Sequence, residues 1–201
     1  MKTSTRNKTY KIAMIGMLSA IACILEALNF PIPIMPSFIK LDFSELPALI
    51  GSFAMGPLSG IIICLIKNLF NAMHSMTGGV GELSNFLLGT AFVGTAGVFY
   101  KMKKSRKAAL TGAFVGAVAM ALFGIVSNYF LVYPLYYKMM PKEVILGMYQ
   151  AINPNVDTIL EALIKFNAPF TFGKAMISVV ITFLVYKRIS PIIKGTFLNK
   201  S

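Results

Sequence analysis

Along this chain polar and apolar residues separate into long apolar blocks joined by short polar ones. The first block covers residues 12–28 and closes at FPIPIMP (30–36), whose prolines rule out a helix throughout. A short second block, 46–55, stops at Gly56-Pro57. The third, 58–73, ends in the Gly-rich turn Gly78-Gly79-Val80-Gly81, and the fourth covers 83–100. The fifth, 108–137, is long enough to tilt or to project beyond a bilayer. A polar stretch with Pro141, Asn153 and Pro154 precedes a last helix ending near Tyr186. A span takes about 20 residues, so six spans use about 120 and leave roughly 80 for loops and ends. The reading is an all-α integral membrane protein with six transmembrane helices, forming a single domain over residues 1–201.

Composition agrees. The chain is 56% hydrophobic and 13% charged, with a mean hydropathy of +0.72. Soluble domains carry about 25% charged residues and about 45–50% apolar ones, so a soluble enzyme is excluded. So are fibrous and disordered classes. The net charge of +12 would suggest nucleic acid in a soluble protein, but its placement assigns it to topology. Lys2, Arg6, Lys8 and Lys11 precede the first helix; Lys101, Lys103, Lys104, Arg106 and Lys107 join the fourth and fifth; Lys187, Arg188, Lys194 and Lys200 follow the last. With six spans all three clusters fall on one face, which the positive-inside rule makes cytoplasmic. Both termini are then inside and segments 29–42, 74–81 and 138–157 outside. Contact of the basic clusters with anionic lipid is compatible. No small-residue cleavage site follows Leu28, so the first helix reads as an uncleaved span rather than a signal peptide. Cys23 and Cys64 read as small buried hydrophobes, and lone His74 offers no metal site.

Depth singles out the candidate polar residues. At about 1.5 Å per residue from the cytoplasmic end, Lys67 lies about 15 Å in, Lys174 about 20 Å, Glu26 about 22 Å and Asn128 about 30 Å. Asn85 opens the fourth helix beside Glu82. Polar groups thus gather in the outer half, a distribution suited to a pocket closed below and open to the outside. Two plainer readings stand beside this one: Glu26–Lys67 as a structural ion pair, and Lys174 as a snorkelling side chain. Ser44, followed by Leu46-Pro47, resembles an N-cap, placing Asp42 and Glu45 where the helix dipole favours carboxylates without any ligand. Lys67 and Asn71, and Asn68 and Asn71, share a helix face. Gly16/Ala20, Gly56/Gly60 and Gly112/Gly116 are small-x-x-x-small pairs able to bring helices close. Gly173-Lys174 lacks the rest of a Walker A motif, and no G-x-G-x-x-G, H-E-x-x-H or G-x-S-x-G occurs, so the chain is not read as an enzyme or an ATPase. Nor do the halves show an inverted repeat with matching broken helices, as many secondary carriers do.

The run LDFSELPALIGSFAMGPLSGIIICLIKNL (41–69), the preceding FPIPIMPSF, GELSNFLLGTAF (81–92), SNYFLVYPLY (127–136) and APFTFGKAMIS (168–178) resemble the riboflavin-specific S components of energy-coupling factor (ECF) vitamin transporters. The resemblance covers nearly the whole chain in order. It implies six helices, a vitamin pocket near the outer face, and coupling to a transmembrane T protein and two ABC-type ATPases. It also implies that Lys174 lines the flavin pocket and that Asn128 hydrogen-bonds the isoalloxazine edge. Thr171 stands where the family pattern has asparagine; either this threonine or Asn167 supplies the contact. Leu41 and Asp42 would form a lid, and Gly16 and Ala20 would dock the T protein; Lys67 and Asn85, singled out by depth, complete the candidate binding set. The expected ligand is transported riboflavin, with no cofactor or metal. A flat ring with one polar edge suits apolar walls plus a few donors and acceptors, and an uncharged vitamin explains the lack of arginine in the spans. An S component for another vitamin and a stand-alone carrier remain alternatives. The expected location is a bacterial cell membrane.

Overall fold

The computed structural model describes residues 2–75 and 78–193, with side chains described for 8–75 and 78–186. Lys194 and Lys200 therefore lie outside the described residues, as do the side chains of Lys2, Arg6, Lys187 and Arg188. Helix α1 (Lys2–Ala27) leads into a two-stranded antiparallel ribbon, β1 (Phe30–Pro31) against β2 (Lys40–Leu41), with Phe30 opposite Leu41. Helices α2 (Glu45–Met55), α3 (Pro57–Ala72) and α4 (Val80–Met102) follow. Then α5 (Arg106–Ser127) passes through a π-helical segment (Asn128–Val132) into α6 (Tyr133–Tyr136). After α7 (Lys142–Gln150), α8 (Ile159–Ala162) and a second π segment (Leu163–Asn167) run into α9 (Ala168–Ile193).

Among the described residues four helical stretches, Lys8–Ala27, Val80–Met102, Arg106–Tyr136 and Ile159–Tyr186, have the length and apolarity to cross a membrane; α2 and α3 are apolar but shorter. Large apolar side chains cover the outside of these helices, among them Leu58, Phe130 and Leu184, each more than 60% exposed. Such a surface is costly in water and favourable against acyl chains.

The helix blocks fall where the apolar runs predict them, with four departures. First, α1 begins well before residue 12, and α9 continues beyond Tyr186 to Ile193. Second, the polar stretch after residue 138 contains α7, whose Ile145 and Tyr149 are buried while Lys142, Glu143 and Val144 are exposed. Third, the proline-rich segment carries the ribbon. Fourth, Ser44 stands at the start of α2 but gives no side-chain cap; its hydroxyl and N–H both bond to Asp42 Oδ1 instead.

Small residues set the helix spacing. Gly56 at φ +100°, a value L side chains rarely adopt, turns α2 directly into α3, and Pro57 opens α3 where its missing N–H costs nothing. A Cβ at Gly60 would lie 2.8 Å from Ala48 O, and one at Gly116 2.6 Å from Phe92 O, so α3 on α2 and α5 on α4 approach backbone to backbone. Ser52 Oγ donates to Val93 O (2.7 Å), tying α2 to α4. One core, including Leu18, Leu49, Ile63, Phe92 and Ala117, runs between the helices. A second, around Tyr133, Ile145, Tyr149 and Leu163, lies where α7 meets the two π segments.

Candidate functional site

Five ionisable side chains converge at the start of α2. Asp42 follows β2, and its carboxylate accepts from the Ser44 N–H at 2.9 Å, a local turn that holds the chain as it enters α2. Glu45 is the first residue of α2 and fully buried. Lys67 arrives from α3, with no exposed surface, bonding Ser44 Oγ and Glu45 Oε1 (3.2 Å). Lys174 arrives from α9, 6% exposed, at 2.8 Å from Asp42 Oδ2 and 3.2 Å from Glu45 Oε2. Glu26, at the far end of α1, lies 3.8 Å from Lys67 and accepts from Asn85 of α4 at 3.3 Å.

Glu45 therefore bridges both lysines, and the ribbon–α2 junction is bound to α1, α3 and α9 through charge. Desolvation alone would raise the Asp42 carboxyl. The Lys174 and Lys67 ammoniums, with hydrogen bonds from Lys174 and Ser44, outweigh it and hold the group well below the usual carboxylate range. A lysine ammonium has three donors. Lys67 gives one to Ser44 and one to Glu45, whereas Lys174 gives one to Asp42 and meets Glu45 Oε2 as an ion pair at 3.2 Å, so its donors are not exhausted.

These contacts settle the plainer readings of the sequence. Glu26 and Lys67 do meet, at 3.8 Å, but as the outlying contact of a larger network. Lys174 does not snorkel; its ammonium is buried against two carboxylates. Asp42 and Glu45 are more than helix-start carboxylates, because buried lysines compensate both.

The remaining candidates lie around this network. Leu41 is half-buried in β2, paired with Phe30. Thr171 is half-buried on α9, three residues before Lys174. Asn128, buried at the start of the first π segment, accepts from Ser84 of α4 (2.9 Å), which leaves its amide N–H groups for another acceptor. Gly16 and Ala20 are exposed on α1, and a Cβ at Gly16 would meet nothing within 4 Å.

Sequence reasoning missed a hydroxyl cluster in the second core. Tyr149 of α7 donates to Asn167 Oδ1 (2.7 Å) and bonds Tyr133, and the Asn167 amide donates to Tyr133 at 3.3 Å. Phe38 from the ribbon loop packs edge-on against Tyr149, with ring centroids 6.5 Å apart. Asn167 is thus committed to the two tyrosines. Burial pushes the Tyr149 hydroxyl up to about 12, so it stays protonated. The available signal was three hydrogen-bonding side chains, Tyr133, Tyr149 and Asn167, within apolar surroundings.

The site is thus an ion-paired junction between the ribbon and four helices of a strongly apolar helical protein. The chain belongs to the ECF transporter substrate-specific component family, which matches residues 10–186. It is therefore part of a multi-pass membrane transporter family and not an enzyme.

Its relatives are bacterial. Riboflavin transporter RibU of Staphylococcus aureus (strain TCH60) is 35% identical over 184 residues, 92% of either chain. Riboflavin transporter FmnP of Bacillus subtilis (strain 168) is 30% identical over 187 residues, 92% of this chain and 94% of that protein. A solved structure of the S component of a bacterial ECF transporter aligns with a TM-score of 0.74 and 35% identity, covering 93% of this chain and 99% of the other.

Proposed function

We propose that this chain is a riboflavin-binding S component, taking the vitamin from the outer side of a bacterial membrane and releasing it inward when coupled to a T protein and two ATPases. The observation that carries this reading is the alignment with a riboflavin transporter along 92% of both chains. In this reading α2 and α3 join the four longer helices as six spans. Both termini lie inside, on the side of the exposed Lys101, Lys103, Lys104, Arg106 and Lys107. The pocket lies in the outer half, lined by Asn128, Thr171 and Lys174, with Lys67 and Asn85 behind it and Leu41 and Asp42 in the lid. The spare N–H of Lys174 and the amide of Asn128 supply donors for flavin carbonyls, and apolar walls take the ring. Gly16 and Ala20 offer the T protein an open, small-residue stripe on α1.

The test is calorimetry of the purified protein against a panel of vitamins, together with its visible spectrum. Tight riboflavin binding and a co-purifying flavin absorbance are expected. Tight binding of a different vitamin instead would overturn the assignment. Uptake by vesicles should require ATP and the partner subunits, and uptake with this chain alone would make it a stand-alone carrier.

A further inference from the structure

The buried network holds three carboxylates, Glu26, Asp42 and Glu45, against two ammoniums, Lys67 and Lys174. Every one of the five is at most 6% exposed. Asp42 pairs with Lys174, and Glu45 sits 3.2 Å from each lysine, so the two cations are matched without Glu26. Glu26 is 3.8 Å from Lys67, beyond hydrogen-bond distance; Oε2 of Glu26 and Oε2 of Glu45 are both buried without a hydrogen bond, but Glu45 has a lysine at 3.2 Å on each side and Glu26 has none so close. Ionised, it would leave a net negative charge in a buried, low-dielectric interior, which is far costlier than a neutral carboxylic acid.

We propose that Glu26 is a proton-binding site, holding a proton at neutral pH so that the five-residue network carries no net charge. The groups around it supply no further positive charge. From α3 come Lys67, the Cys64 thiol and the neutral amide of Asn71, from α2 and its approach Glu45 and Asp42, and from α1 itself Cys23. Lys174 of α9 reaches the cluster through Glu45. From α4 the contact is the neutral amide of Asn85, which serves a protonated acid as donor or acceptor. Glu82 at the start of α4 is bonded to Ser75 instead. Among the described residues no group of His, Cys, Asp and Glu is arranged to hold a metal ion that could supply the missing charge.

Infrared difference spectroscopy of the full chain in lipid nanodiscs at neutral pH tests this without reference to any vitamin. The parent should show a protonated-carboxyl C=O band, resolved from ionised carboxylates, that moves on carboxyl-13C labelling of glutamate and is lost in Glu26→Gln. Glu45→Gln should retain it. Glu26→Gln, a neutral isostere of the protonated acid, should also unfold at the temperature of the parent. Absence of the band from the labelled parent would overturn the proposal even if a variant failed to fold. So would its persistence in Glu26→Gln, or its loss in Glu45→Gln alone.

Discussion

Replacing Lys174 by Met keeps side-chain length and removes three donors, and the structure separates its two consequences. Asp42 loses its 2.8 Å partner and Glu45 one of two lysines at 3.2 Å, leaving a buried carboxylate uncompensated. Removing one member of such a pair costs about 3–5 kcal/mol in stability. The other consequence falls on the ligand. A hydrogen bond to a charged group contributes about 1.5–3 kcal/mol, so losing the spare Lys174 donor should weaken riboflavin binding about tenfold to about a hundredfold.

The single variant mixes the two effects, but Asp42→Asn/Lys174→Met removes one charge of each sign and restores the balance. The double variant should therefore recover much of the thermal stability lost in Lys174→Met while its affinity for riboflavin stays at least about tenfold down. Calorimetric titration of the parent, both single variants and the double variant completes the cycle. If the double variant binds like the parent, Lys174 acts only as a latch on Asp42, and its assignment as a ligand donor is wrong.

Three further outcomes follow from the same geometry. Gly16→Trp, on a stripe where an added Cβ meets nothing, should abolish ATP-driven uptake by the assembled transporter and leave riboflavin binding near normal; loss of both would assign this face to packing within the chain. Tyr149→Phe strips the donor from Asn167 Oδ1 and should lower stability by about 1–3 kcal/mol in thermal unfolding; an unchanged midpoint would show that the cluster is dispensable. Because the folded Asp42 carboxyl titrates below its unfolded value of about 3.9, its stabilisation is fully present above that pH and is lost only as pH falls through the depressed folded value. The stability gap between parent and Asp42→Asn should therefore be flat from about pH 5 to about pH 8, and a gap that narrows between pH 6 and pH 5 would contradict the pairing.

What was legible in the sequence follows from what each signal measures. The long apolar blocks predict α1, α4, α5 and α9 because lipid-facing helices are apolar on every side and need no partner to be recognised. Helix α7 escaped because KEVILGMYQ is short and amphipathic, and only its packing against the π segments makes it a helix worth forming. The π segments themselves are invisible in hydropathy, since one extra residue in a turn leaves the apolar count unchanged.

The site divides along the same line. Depth along a helix puts Lys67 near the midplane and Lys174 a little further out, but depth has no azimuth, so it does not predict that Lys174 meets Asp42, 132 residues away. Glu45 was assigned to the helix dipole because its partners lie on other helices. The small-residue pairs show the limit most sharply. Gly60, Gly116 and Gly16 obey one spacing rule, yet Gly60 and Gly116 leave no room for a Cβ against neighbouring backbone while Gly16 faces open space. A small residue packed against its own chain is already used by the fold. One left open on a membrane helix exposes close-approach surface that no contact within the chain occupies, which is why the docking proposal rests on Gly16 and Ala20 and not on the equally patterned pairs beside them.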